Sequence, residues 1–203
     1  MTPIAVWYLN RATGIVALVL MTLTVVLGVL VRRQVRLPGL PRFGVVTLHR
    51  NVSLISALLL LTHVVSAVVD SYVSIGPIAA VVPFTAGWRP LAVGLGTLAV
   101  DLLLLIVVSS LVRVRIPERL WRVVHWTSYL LWPLAFLHGL TAGTDMHATW
   151  VLGLALVCAG AVAASAAAAW TGRTRTAERA PAAVAATRSA LSRGARVAVF
   201  RNR

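Results

Sequence analysis

Five stretches of the chain run for about 20 residues with almost no charge inside them: about Arg11 to Val31, Gly44 to Val69, Leu91 to Val112, Arg122 to Leu140 and Ala148 to Trp170. A bilayer core of about 30 Å is crossed by about 20 helical residues. Only helices and closed barrels satisfy every backbone polar group in lipid. The stretches are unbroken apolar runs without strand alternation, so they predict an all-α, polytopic transmembrane bundle of five spans. Composition agrees: 59% of the 203 residues are hydrophobic, 12% are charged and the mean hydropathy is +0.88, values of an integral membrane protein.

Charge then sets the orientation. Arg32, Arg33, Arg36 and Arg42 crowd the first connection and Arg113, Arg115, Arg119 and Arg122 the third, whereas the second holds Arg89 with Asp70 and the fourth holds Asp145 without an arginine. Arginine-rich loops stay cytoplasmic. The N-terminus and the second and fourth connections are therefore expected outside, with the C-terminus in the cytoplasm of a multi-pass cell (plasma) membrane protein. The formal charge of +14 is confined to loops and tail, which reads as topology and lipid contact and excludes a nucleic-acid partner.

The first apolar run is expected to remain as an anchor, because its positive cluster follows it and no A-x-A site ends it. Residues 70 to 90, punctuated by Gly76, Pro77, Pro83 and Gly87, read as an outer loop resting on the bundle, and Trp88 and Trp150 suit a membrane interface. Residues 1–170 form the membrane domain. Residues 171–203 are an Arg/Ala-rich cytoplasmic tail, expected to be disordered or membrane-adherent. The single cysteine, Cys158, excludes an internal disulfide and a cysteine-held iron–sulfur cluster, and reads as a packing residue.

Four histidines lie within these apolar stretches as two pairs. An ionisable side chain in a membrane span is costly without a partner and is by default a functional candidate. His49 and His63 are 14 residues apart, which on an α-helix puts them within about 40° of one face and about 21 Å apart in height. His125 and His138 stand on a span that runs parallel to theirs. His49 follows Arg42 by seven residues and His125 follows Arg119 by six, so the depths match. Any one of these histidines could be a hydrogen-bonded core residue. Two pairs at matched depth instead read as axial ligands, His49 with His125 for an inner haem b and His63 with His138 for an outer one.

One spacing resists a straight helix. The 13 residues from His125 to His138 leave the two side chains well over 90° apart, and Pro133 between them is expected to kink or rewind the span. Arg50 and Arg122 are candidates for the inner haem's propionates and Arg11, beside Asn10, for the outer haem's. Asp101, at mid-membrane depth, reads either as a proton-relay group or as a structural hydrogen-bonder, to a ligand imidazole or to Thr62. His147 reads as an interfacial histidine.

With His49-Arg50 through Thr62-His63 on one helix and His125 through His138 two helices later, the chain resembles the ferric reductase-like transmembrane domain family. That family includes the NADPH oxidases, the metalloreductases and the haem subunit of periplasmic methionine sulfoxide reductase. The resemblance covers about residues 7 to 160, and the spacings of 14 and 13 occur in the same order in the eukaryotic oxidases and ferric reductases. Arg11, in Asn10-Arg11-Ala12-Thr13-Gly14, is similar to the arginine the family places near its outer haem. Members usually have six spans, and this chain is expected to lack the first. The oxidases continue into FAD and nicotinamide domains, whereas residues 171–203 hold no G-x-G-x-x-G turn.

The resemblance implies a di-haem cytochrome b electron-transfer module, an oxidoreductase subunit without its own FAD or NAD(P)H domain. Electrons would come from a separate flavoprotein, an FMN carrier outside the membrane being one candidate, or from quinol. They would pass to an outer acceptor or partner protein. Two alternatives stay open: a single-haem membrane subunit of a periplasmic reductase, and a non-redox transporter or scaffold.

Overall fold

A computed structural model describes residues 3–34, 39, 41–70, 73 and 75–171, without the side chains of Pro3, Arg42, Met146 and His147. Its helices are α1 (Pro3–Arg33), α2 (Arg42–Val69), α3 (Pro90–Leu111), α4 (Glu118–Trp126), α5 (Ser128–Ala142) and α6 (Thr149–Thr171), with 3-10 turns at Pro77–Ala80, Arg113–Arg115 and Thr144–His147. No strand occurs among the described residues. The described residues up to Val162 cluster as one compact unit, and those from Ala163 to Thr171 fall outside it. Apart from the end of α6, everything below lies in that unit. Beyond Thr171 the expected tail lies outside the described residues.

The helix ends follow from local chemistry. Gln34 turns left-handed (φ 53°) just after Arg32 and Arg33, cations placed where the α1 carbonyl end favours them. Proline at N1, which has no N–H to leave unpaired, opens α3. Glu118 in the first turn of α4 complements that helix's positive end.

Four helices, over Ile4–Arg33, Phe43–Val69, Pro90–Leu111 and Thr149–Thr171, are each long and apolar enough to cross a membrane. The fourth expected span differs from the single helix predicted over Arg122–Leu140. It is two helices, α4 of nine residues and α5 of 15, and each alone is too short to cross. The break falls at Thr127, while Pro133 sits inside α5. At Thr127 the hydroxyl donates to Val124 O at 2.7 Å and the backbone N–H bonds the same carbonyl at 3.0 Å. This i→i+3 turn winds tighter than an α-helix, about 120° per residue against 100°. The extra rotation is in the direction that the 13-residue spacing needs.

The bundle is built from two helix pairs, α1 on α2 and α3 on α5, with α1 also touching α5. Trp132 Nε1 donates to Thr22 Oγ1 at 2.9 Å in the interior and so ties the pairs together. Around it lie buried Met21, Ile106, Leu131 and Cys158. Leu54, Ile55, Leu58, Leu61, Val65 and Val69 of α2 are exposed while Ser56 and Ser66 are buried. That reversal of a soluble helix puts apolar side chains toward lipid and small polar ones toward the bundle.

Between α2 and α3, residues 75–89 are docked. Thr97 Oγ1 donates to Ala79 O at 2.7 Å, Arg89 donates to Thr141 O at 2.7 Å, and Ala79, Ala86 and Val93 form a small core. Phe84, at φ 67°, lays its ring on Gly94, where an added Cβ would come within 2.2 Å of Cδ1. Gly94→Ala is therefore expected to cost about 1–3 kcal/mol by overpacking. Limited proteolysis should show faster cleavage at 81–88 in the variant, with the helices intact.

Candidate functional site

The four histidines meet as two pairs. The His49 and His125 ring centroids are 6.4 Å apart and those of His63 and His138 are 6.2 Å apart, with ring planes crossed at 73° and 78°. His49 and His63 reach their partners from one helix, four turns apart. His125 and His138 reach theirs from α4 and α5, on either side of the Thr127 break.

Three of the rings are held in the same way. His63 Nδ1 contacts Asn10 O at 2.8 Å, His49 Nδ1 contacts Thr24 O at 3.1 Å and His138 Nδ1 contacts Ala92 O at 2.8 Å. A carbonyl only accepts, so each Nδ1 carries the proton and donates it. Nε2 is left as the ring's free lone pair. Four residues after each carbonyl stands a glycine: Gly14, Gly28 and Gly96. A Cβ there would lie 2.9 Å from His63 Cε1, 3.3 Å from His49 Cε1 and 2.7 Å from His138 Nδ1 respectively. In a helix the residue at i+4 overhangs the carbonyl of residue i, so its missing Cβ lets an imidazole reach that oxygen from the side.

Asn10 also holds His63 from the other end, donating its side-chain amide to His63 O at 2.8 Å and to Ser66 Oγ at 3.1 Å. The carbonyl-and-glycine pairs Asn10/Gly14 and Thr24/Gly28 repeat after 14 residues on α1, as His49 and His63 do on α2. Sequence reasoning reached the histidines and missed their niches, although this shared interval was there to be read.

His125 is the exception. Its Nδ1 is buried without a hydrogen-bond partner among the described residues. The ring stacks instead on Trp121, 4.8 Å away at 21°, and the Arg113 guanidinium lies over Trp121 at 4.1 Å.

A cavity of about 960 Å³ borders His63 and His138, walled by Gly14, Gly96, Phe136 and Trp88 among others, and is of cofactor size. Arg11 lines it, only 16% exposed, with Nε 2.5 Å from Asp145 Oδ2 and its guanidinium 3.9 Å over Trp7. Arg122 pairs with Glu118 at 2.5 Å on the surface, and Arg50 is exposed beside His49. No hydrogen bond or ion pair reaches Asp101 among the described residues; Thr62 bonds Leu58 O, and the Nδ1–H groups of His49, His63 and His138 go to carbonyls. The side chain of His147 lies outside the described residues.

These pairs suit one metal atom between two rings. An imidazole nitrogen binds such a metal at about 2.0 Å, so two rings on opposite sides of it have centroids about 6.3 Å apart. Among the described residues no three His, Cys, Asp or Glu stand together to hold a bare ion. A porphyrin, which supplies the equatorial ligands itself, needs only the two imidazoles.

Fold and site together define a multi-pass helical membrane protein with two pairs of facing histidines inside the bundle. Residues 13–136, more than half of the chain, match the family described as ferric reductase-like transmembrane component, and the chain belongs to it. No curated protein and no solved structure matches the chain. Members of that family are membrane electron-transfer modules that generally bind haem.

Proposed function

We propose that the chain is a di-haem cytochrome b module of the plasma membrane, passing single electrons from a cytoplasmic or quinol donor to an outer acceptor or partner protein. The observation that carries this reading is the pair of imidazole separations, 6.4 and 6.2 Å, repeated four turns apart on one helix. His49 and His125 hold the inner haem; His63 and His138 hold the outer. Bound haem supplies the one-electron redox step. The chain keeps each imidazole in the tautomer that offers Nε2, and it sets the sites about 21 Å apart along α2.

Arg11 supplies the cation for an outer propionate, and Arg50 and Arg122 serve the inner haem. The joined α4 and α5, Glu118–Ala142, cross the bilayer as one broken span, making five crossings. Arg32, Arg113, Arg115, Arg119 and Arg122 mark the cytoplasmic end, which leaves the N-terminus outside.

Pyridine haemochrome quantitation of purified, haem-replete protein tests this directly. Two b-type haems per chain are expected. The crossed ring planes predict a strongly anisotropic low-spin ferric EPR signal from both. One haem per chain would favour the single-haem subunit, the reading that the 960 Å³ cavity beside His63 and His138 would support by itself. No haem would leave only the transporter.

A further inference from the structure

We infer that the inner site has an exchangeable axial position: His125 is a displaceable ligand, and a small neutral diatomic such as carbon monoxide takes its place on reduced iron. This rests on the di-haem reading and adds an asymmetry to it. His49, His63 and His138 each donate Nδ1–H to a helix carbonyl and each seat the ring edge against a glycine. His125 has neither. Among the described residues its Nδ1 is buried and unpaired, and none of the glycines whose surroundings are described there seats its ring.

The bond from a ligand's second nitrogen fixes ring orientation and raises its basicity. Loss of such a partner typically costs about 10- to 100-fold in metal affinity. The backbone adds to this. His125 sits on a nine-residue helix with the 3-10 turn Arg113–Arg115 before it and the Thr127 break one residue beyond its end. His138, by contrast, stands in the 15-residue α5, with its Nδ1 bonded to α3. Trp121 covers one face of the His125 ring, so the ring is kept in place by stacking, which has no directional hold on Nε2. In the exchange, the bond from His125 Nε2 to iron breaks and a bond from the carbon of carbon monoxide forms. The iron stays ferrous, and neither an electron nor a proton changes hands.

The test uses the full chain in lipid nanodiscs, with haem content established first by the haemochrome assay. Dithionite-reduced protein is titrated with carbon monoxide and followed by difference absorbance. Half of the haem should form the complex, at concentrations about 10- to 100-fold below any reaction of the other half. Trp121 touches His125 and no other of the four rings, so Trp121→Ala should raise the carbon monoxide affinity of the haem at that site several-fold. A two-haem protein in which neither haem binds carbon monoxide, or both bind it alike, overturns the proposal, as does a Trp121→Ala protein with unaltered binding. Absence of haem in the first assay would instead sink the di-haem reading, and this proposal with it.

Discussion

Replacement of His138 by alanine should lower the haem content from two per chain to one, and His63→Ala should remove the same haem. On the proposed reading the two rings, 6.2 Å apart between centroids, would hold one haem between them, so the loss of either should release it. His49→Ala should remove the other haem and His125→Ala should weaken its retention, because their rings face each other at 6.4 Å. Haemochrome quantitation beside a redox titration reads this. The wild type should titrate in two steps, and the step left unaltered should be the same for both members of a pair. If His63→Ala and His138→Ala remove different haems, the pairing is wrong.

Glycine substitutions should give graded losses. In Gly96→Ala the new methyl would lie 2.7 Å from His138 Nδ1 and 2.8 Å from Cε1, against a ring tied to Ala92 O. The ring cannot yield without losing its hydrogen bond, so the outer haem should fall to a small fraction of its wild-type occupancy. Gly14→Ala, at 2.9 Å from His63 Cε1, should follow closely. Gly28→Ala meets His49 Cε1 at 3.3 Å, a contact relieved by a shift of a few tenths of an ångström, and should keep most of the inner haem. Haem per chain after size-exclusion chromatography, with helicity from circular dichroism as the folding control, ranks the three. Equal retention would remove the niches from the account of the site.

Much of this was legible in the sequence because membrane burial leaves few disguises. Apolar length predicts the long helices, and the histidines stand out against Leu and Val. The 14-residue interval from His49 to His63 also fixes a common face on a straight helix. The break at Thr127 was less accessible. The 13-residue spacing says that a straight helix will not serve, and Pro133 is the residue that propensity singles out. The chain departs six residues earlier, where a threonine hydroxyl competes for a helix carbonyl. Backbone carbonyls such as Asn10 O and Ala92 O carry no residue-type signal, so the partners of the imidazoles could not be read from composition. The glycines could be, once paired with the histidines by interval. The partner of Arg11, Asp145, lies 134 positions away in sequence, and only the closed bundle shows it.

The two niches on α1 work as a ruler. One residue inserted between Gly14 and Gly28 would swing one niche by about 100° relative to the other, and only one histidine of α2 could then be seated. The α4–α5 side has a joint at Thr127 that takes up such an error. Length changes are therefore tolerated unequally on the two walls: the α1–α2 wall sets the distance between the sites, and the α4–α5 wall adjusts to it.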